Sequence, residues 1–183
     1  MTLLLSHPAG NQNVRAMLDA LQTAGMLGRF ATTVAADEHS PLLRLMPDKV
    51  RREWLRRRFD VPRDKVLQHP WRELARVACG AVGWRSALRH EQGFASTDAI
   101  IQDFDRFVAH ALPRRVSRDS LSAVYAYEDG ALDTFRAART LGLKRVYDLP
   151  IAYWELGRRL QQEEAERLPA WAPTLGGGLL DSP

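Results

Sequence analysis

The sequence predicts an α/β fold, in which a parallel β-sheet is covered by helices on both faces. Residues 122–150 carry this prediction, because they show a strand over 123–125, a helix from Ala131 and a second strand over 143–147. Short connections around a crossover helix imply that the two strands pair in parallel. Residues 2–34 show the same order of elements, and a parallel sheet is normally buried between helices.

The first unit begins with an apolar strand over 2–5, which a tight polar loop joins to a helix over about 13–27. Apolar residues recur at helical spacing in this helix, and Gly25 or Gly28 is predicted to end it, because glycine adopts the left-handed cap. A second strand is predicted over 30–34, where β-branched residues are frequent.

Helices dominate the middle of the chain. One helix is predicted between Pro47 and Arg58, with apolar side chains on one side and arginines over much of the rest. A short strand over 66–68 follows. Another helix is predicted to open at Pro70, where proline is tolerated, and to run towards Leu88.

A strong helical pattern of apolar residues precedes the central unit. Ser96, Thr97 or Asp98 is predicted to cap this helix, and Pro113 is predicted to break it. After the central unit, residues 153–167 are predicted to form a helix with many charges and few apolar anchors.

Length and composition indicate one domain of an ordinary globular kind. A chain of 183 residues can bury a sizeable core, and its formal net charge is +4. The single cysteine, Cys79, excludes an intramolecular disulfide and a cysteine-cluster metal site, and the histidines lack close ligand spacing. We therefore expect no metal. There is no signal-peptide pattern and no apolar run of roughly 18 residues, so a cytoplasmic protein that spans no membrane is predicted.

Acidic residues follow both strands of the central unit. Glu128 and Asp129 follow the first of them, and Asp148 ends the second. Ligands of parallel α/β sheets bind at the carboxyl ends of the strands. We therefore expect function at these three residues.

A further pattern is spread over nearly the whole chain. It consists of HPAGN at 7–11 with VRA at 14–16, FATT at 30–33, YAYEDGA at 125–131, YDLP at 147–150 with YW at 153–154, WA at 171–172 and DSP at 181–183. In this order, the segments resemble the N-terminal half of a bacterial family 4 (group 1) glycosyltransferase. The resemblance implies the GT-B arrangement, in which two Rossmann-like domains face each other across a cleft.

The resemblance also implies a division of labour. Residues 1–183 would form a single Rossmann-like, acceptor-side domain, whereas the missing C-terminal domain would bind most of the nucleotide-sugar. The intact enzyme would transfer a sugar from that donor to a hydroxyl acceptor, with retention and without a further cofactor. The tail from Pro169, with three prolines and a run of three glycines, favours a truncated chain. We expect such a fragment to be inactive alone.

Two loops are assigned to the cleft by this resemblance. The loop over 7–13 would approach the donor phosphates or the acceptor, and the loop over 127–130 would line the acceptor side. The residues assigned to the cleft are His7, Gly10, Asn11, Asn13, Tyr127, Glu128, Asp129 and Gly130 from these loops, together with Asp148 at the end of the last strand. Carboxylates bind hydroxyl groups through hydrogen bonds, so the acidic residues are assigned to acceptor binding and the catalytic residues are left open.

Each assignment has a structural alternative. His7 stands before a proline and can simply turn the chain. Glu128 and Asp129 can cap the helix that follows them, since acidic residues suit a helix N-terminus. Asp148 can serve only as a turn residue.

The helix over 47–58 suggests a second kind of surface. Its arginines can simply form a solvated face. Because apolar residues lie on the other side of the helix, the arginines can instead contact the anionic inner surface of the membrane. The residues of this hypothesis are Arg51, Arg52, Trp54, Arg56 and Arg57. Nucleic acid is an unlikely partner, because beyond Trp54 no aromatic residues are interleaved with the arginines.

Two other classes of protein compete with the glycosyltransferase. A dinucleotide-dependent oxidoreductase is disfavoured, since no G-x-G-x-x-G follows either clear strand. A non-catalytic Rossmann-like remnant or binding domain stays an alternative, because the donor-binding half is missing from the pattern.

Overall fold

The structure is a computed structural model, and it describes residues 1–37, 48–128, 130–150 and 153–175. The chain forms two compact units, Met1–Asp148 and Leu149–Pro183. The described part of the first unit is a five-stranded parallel sheet flanked by helices, which confirms the predicted α/β, Rossmann-like fold.

The first unit contains the sheet and five α-helices within the described residues. Its elements are β1 (Leu3–Ser6), α1 (Gln12–Thr23), β2 (Leu27–Thr32), α2 (Asp48–Leu55), β3 (Val66–Gln68), α3 (Trp71–Ala81), α4 (Thr97–Asp119), β4 (Ala123–Tyr127), α5 (Leu132–Thr140) and β5 (Lys144–Asp148). Short 3₁₀ turns cover Arg63–Lys65 and Arg85–Leu88. In the second unit, α6 (Trp154–Arg167) confirms the predicted helix and is followed by a 3₁₀ segment over Pro169–Leu175.

The strand order is β3-β2-β1-β4-β5. The chain first moves from β1 outwards to β3, and then returns to the other side of β1 through β4. Leu3 of β1 lies opposite Leu27 of β2 and opposite Ala123 of β4. The order therefore reverses between β1 and β4, and such a switch point opens a crevice at the carboxyl ends of the strands.

The alternation of side chains along the strands gives each face of the sheet its own core. Leu5 of β1 packs with Phe30 and with Val14 of α1 on one face. Leu4 packs with Phe104 of α4 on the other face. All five side chains are fully buried, as expected for a parallel sheet that is covered on both sides.

Some boundaries predicted from the sequence are wrong: the helix from Pro70 ends at Ala81 and does not reach Leu88, and β2 covers Leu27–Thr32 instead of 30–34. The first helix ends at Thr23, short of Leu27, and Gly25 follows it with a positive φ of +64°, which confirms Gly25 over Gly28 as the residue that ends it. The predicted break at Pro113 does not occur, since α4 continues to Asp119.

Tertiary contacts explain why α4 continues through Pro113. A proline inside a helix costs about 3 kcal/mol through its missing N–H and its ring clash. Leu112 is fully buried against the sheet, and Asp119 accepts two hydrogen bonds from Arg29 of β2, at 2.6 and 2.5 Å. These contacts hold the last turns of α4 in helical form.

None of the helices in the described part of the chain combines the length and the apolar character that a membrane span requires.

Candidate functional site

The candidate site lies at the carboxyl ends of β1 and β4, where the strand order reverses. His7 follows β1 directly, Tyr127 is the last residue of β4, and Glu128 follows it. Asp148 ends β5 and lies opposite Tyr127 in the strand register. The fold therefore brings residues from both predicted loops to one edge of the sheet.

Backbone contacts fix the loop after β1. The backbone N–H of His7 donates to the carbonyl of Ala31 at 3.1 Å. The carbonyl of Pro8 accepts hydrogen bonds from the hydroxyl groups of Thr32 and Thr33, at 3.0 and 2.6 Å. The β-branched residues that predicted β2 thus also anchor the neighbouring loop.

The imidazole of His7 has one tautomer in its neutral form. Its Nδ1 accepts hydrogen bonds from the backbone N–H groups of Ala9 and Gly10, at 3.1 and 2.7 Å. The proton therefore lies on Nε2, which forms no hydrogen bond with any described residue. These hydrogen bonds show that His7 stabilises the turn, as the structural alternative predicted. Its Nε2–H group remains available as a hydrogen-bond donor.

Burial decides the charge of His7. The half-buried ring meets the ring of Tyr127 edge to face, with 5.0 Å between the centroids. This burial lowers the pKa of His7 to about 4, so the imidazole is neutral near pH 7. It can offer a ligand a hydrogen bond but no positive charge.

The other residues of this loop have local roles. Gly10 has a φ of +64°, and a Cβ there would overlap the ring of Phe59, which fills the adjacent space. Asn11 caps α1, because its Oδ1 accepts from the N–H of Val14 at 2.9 Å. Asn13 is exposed in the first turn of that helix.

Two tyrosines of β4 and one aspartate of β5 form a polar group beside His7. The hydroxyl of Tyr125 donates to Asp148 Oδ2 at 2.7 Å. Burial, followed by that hydrogen bond, raises the pKa of Tyr125 far above its ordinary value. Burial and the charge of Asp148 raise the pKa of Tyr127 to about 12. Both hydroxyl groups therefore remain protonated at neutral pH.

Three buried polar atoms at the ends of β1 and β4 find no hydrogen-bond partner among the described residues. They are Ser6 Oγ, the Tyr127 hydroxyl and Glu128 Oε2. The Tyr127 hydroxyl lies close enough to Tyr125 and Asp148 for both side chains to shift its pKa, but it meets strict hydrogen-bond geometry with neither. A buried polar group without a partner costs about 1–3 kcal/mol, so these three atoms are candidates for contact with ordered water or with a bound polar molecule.

Glu128 does not cap the helix that follows it. Its backbone N–H donates to the carbonyl of Asp148 at 3.2 Å, and its own carbonyl accepts from Gly130 at 2.9 Å. No side chain at the N-cap position, Ala131, bonds to the first turn of α5. The capping alternative is therefore not seen for Glu128, and Asp129 lies outside the described residues.

Asp105 of α4 caps α5 instead. Its Oδ2 accepts from the backbone N–H of Asp133 at 2.7 Å, and its Oδ1 accepts from that of Thr134 at 3.0 Å. This role of Asp105 was not predicted from the sequence. An aspartate directly after Phe104, within the apolar stripe of a helix, is the signal that could have revealed it.

The arginines around α2 are partly engaged within the fold. Arg57 pairs with the carboxylate of Glu73, which also accepts from Arg76 at 2.7 Å. Burial of Glu73 opposes its charge, but the hydrogen bonds from Arg76 and Arg57 outweigh burial and hold its pKa below the ordinary value. Arg57 therefore has a structural role, although it stands in the predicted membrane surface.

The other residues of that surface differ in exposure. Arg51 is about half exposed and pairs with Asp48 of the same helix at 2.8 Å. Arg52 is exposed, and Trp54 is half-buried. The backbone carbonyl of Arg56 accepts from Arg15 at 2.6 Å.

Comparison of the chain with protein-family models, with curated proteins and with solved structures finds no match. The resemblance to family 4 glycosyltransferases therefore stays a prediction. Among the described residues, no group of three or more histidine, cysteine, aspartate and glutamate side chains could hold a metal ion.

Proposed function

We propose that this chain is the acceptor-side domain of a glycosyltransferase. In the complete enzyme, a second Rossmann-like domain would bind the nucleotide-sugar, and the sugar would pass with retention to a hydroxyl group held by this domain. One observation carries the proposal: the carboxylate of Glu128 and the hydroxyl of Tyr127 have buried oxygens without partners at the switch point of the sheet.

These groups suit a ligand with several hydroxyl groups. A hydroxyl both donates and accepts, so it can donate to Glu128 and accept from the tyrosine or from Nε2–H of His7. A hydrogen bond to an ionised carboxylate is about twice as strong as one between neutral groups. Acceptor hydroxyl groups would therefore complete the hydrogen bonds that the folded chain leaves unmade.

The neutral state of His7 favours an acceptor over a phosphate at this position. An uncharged imidazole gives no Coulomb attraction to a diphosphate, and Phe59 fills the space next to Gly10. We infer that the donor phosphates are held chiefly by the second domain. This domain alone should bind acceptors without transferring sugar.

Titration of the chain with a panel of free monosaccharides, their methyl glycosides and glycerol, followed by NMR, tests the proposal. Glu128→Gln keeps the shape of the side chain but removes its charge, and it should weaken sugar binding by about tenfold. Glu163→Gln, at a side chain that is 61% exposed on α6, is the matched control and should change nothing. Absence of sugar binding, or equal binding by the Glu128 variant, would contradict the proposal.

The proposal places the enzyme in the cytoplasm, and contact with an anionic membrane through α2 stays a separate hypothesis. Arg51 and Arg52 are the exposed arginines of that helix. Flotation with vesicles that contain an anionic phospholipid should fall in a variant with both changed to Glu. Equal flotation of variant and wild type would refute the membrane contact.

A further inference from the structure

A groove with a cationic rim lies between α4 and the edge strand β3. Its volume is about 440 Å³, within the range of small-molecule sites. Its apolar floor is formed by Leu67, Phe107 and Ala111. Its rim is formed by His110, Arg114, Arg115 and Arg118. The groove shares no residue with the site at the carboxyl ends of β1 and β4.

The positive charge of this rim is largely uncompensated. No carboxylate is among the described residues that line the groove. Asp119 is the adjacent acidic residue; Arg29 engages both of its oxygens, and Arg115 forms a longer ion pair with it at 3.8 Å. Arg118 is near enough to help lower the pKa of Asp119, but neither Arg114 nor Arg118 forms a direct ion pair with a described residue. The single charge of Asp119 therefore faces several guanidinium groups, and the groove attracts anions.

The floor of the groove is held in place before any ligand arrives. The ring of Phe107 stacks on the imidazole of His69, with 4.5 Å between centroids and 13° between planes. His69 Nε2 is 2.8 Å from Asp103 Oδ2, and Arg72 pairs with the same carboxylate at 3.2 Å. This chain of contacts fixes one face of Phe107, while the rest of the ring lines the groove. A fixed floor lowers the entropy cost of binding.

We propose that this groove binds a small organic phosphate ester. The phosphate pairs with Arg114 and Arg118, because the planar fork of a guanidinium matches phosphate oxygens and two such groups suit a dianion. The organic part covers Leu67 and Phe107, which inorganic phosphate would leave in water. The structural alternative is that these arginines only stabilise the C-terminal end of α4 through the helix dipole.

Binding of phenyl phosphate to the full chain, measured by NMR or calorimetry, tests the proposal. Changing Arg114 and Arg118 together to Glu should weaken binding by at least about tenfold, since hydrogen bonds between charged groups are lost. The matched control changes Arg159 and Arg167 to Glu, because both are 68% exposed on α6 and the net charge falls equally. The control should stay within about twofold of wild type.

A second variant separates the apolar floor from the charges. Ala111→Leu fills the groove with a good helix former and keeps every arginine. It should weaken phenyl phosphate by about threefold or more, and leave the weaker binding of inorganic phosphate unchanged. Thermal melts verify that each variant is folded.

Three results would overturn the proposal. The first is that wild type binds no phenyl phosphate at about 10 mM. The second is an equal loss in the control at Arg159 and Arg167, which would show a general effect of net charge. The third is that Ala111→Leu weakens the binding of both anions equally or of neither, which would show that the organic part of the ester does not contact the apolar floor.

Discussion

Replacing Asp105 by alanine should destabilise the first unit strongly. Asp105 is only 3% exposed, and its carboxylate accepts from the backbone N–H groups of Asp133 and Thr134, at 2.7 and 3.0 Å. The hydroxyl of Thr134 also donates to the backbone carbonyl of Asp105, at 3.3 Å. The variant would leave the first turn of α5 without its cap.

The magnitude follows from the two donors that are left unpaired. Loss of a helix cap costs about 1 kcal/mol, and each buried donor without a partner costs about 1–3 kcal/mol. Thr134 is fully buried, so water cannot replace the carboxylate at its N–H without opening the structure. We expect Asp105→Ala to lower the free energy of unfolding by about 2–4 kcal/mol in total. Asp105→Asn keeps one acceptor oxygen and should lose about half as much.

Urea denaturation followed by circular dichroism measures these changes. Asp133→Ala is the matched control, because this aspartate is 38% exposed and its ion pair with Arg136 spans 3.4 Å at the surface. It should cost less than about 1 kcal/mol. The capping account is refuted if Asp105→Ala stays within about 0.5 kcal/mol of wild type, or if both variants lose the same amount.

Further predictions concern a glycine, a buried carboxylate and a histidine. Gly10→Ala should cost about 2–4 kcal/mol in urea denaturation, because φ is +64° and the added Cβ overlaps the ring of Phe59. Glu73→Gln should lower the free energy of unfolding by about 1–3 kcal/mol. Wild type should lose stability as pH falls through the lowered pKa of this carboxyl, and the variant should not show that loss. His7 has a folded pKa of about 4, below the ordinary 6.5, so the unfolded chain binds its proton first as pH falls. The free energy of unfolding should therefore decrease by at most about 3 kcal/mol as pH falls from 6.5 to about 4. His7→Asn keeps an acceptor for the turn and should abolish this part of the pH dependence.

Each of these predictions has its own control. Gly25 has the same φ of +64° with nothing within 4 Å of its Cβ position, so Gly25→Ala should cost only about 1 kcal/mol. Equal losses at Gly10 and Gly25 would refute the steric role of Phe59. Glu163→Gln, at an exposed side chain, should leave the pH profile unchanged. An NMR titration of His7 that gives a pKa near 6.5 would contradict its burial.

The fold was predictable because its signals are local. The strand over 143–147 is indicated by residue type and by short connections, and the structure has β5 there. The short strand over 66–68, predicted with less support from the sequence, is β3. The sequence predicted that α4 starts at Ser96, Thr97 or Asp98, and Ser96 is the residue that caps it, by accepting from the N–H of Ala99 at 3.1 Å. Contacts between neighbours in the chain decide these features, so one sequence is sufficient.

The remaining features depend on contacts between distant parts of the chain. Pro113 reads as a helix break, but Arg29 bonds to Asp119 across 90 positions of sequence and helps to hold the helix together. Arg57 reads as part of a solvated face, but it pairs with the buried Glu73. Periodicity reports which face of an element is buried, and it does not report which polar groups meet there.

The candidate site shows the same division. The carboxyl ends of the strands were predictable, and His7, Tyr127 and Asp148 do meet at that edge. Two other features of the site were not predictable: the neutral state of His7, and the lack of partners for the polar atoms of Tyr127 and Glu128. Both arise from how tightly the two loops are packed. Asn11 caps α1 by accepting from the N–H of Val14. Asparagine is a common N-cap residue, so this role could have been predicted, but it was not.

Chemical-shift mapping of a bound sugar tests the central claim most directly. The chain, with labelled backbone and side-chain nitrogen, would be titrated with whichever member of the monosaccharide panel binds best. We predict that the shifts concentrate at His7, Tyr127 and Glu128, because these groups lie at the switch point between β1 and β4, and that Glu128→Gln needs about tenfold more sugar to reach them. Shifts confined to other surfaces, or no saturable shift with any sugar, would contradict an acceptor site at this edge of the sheet.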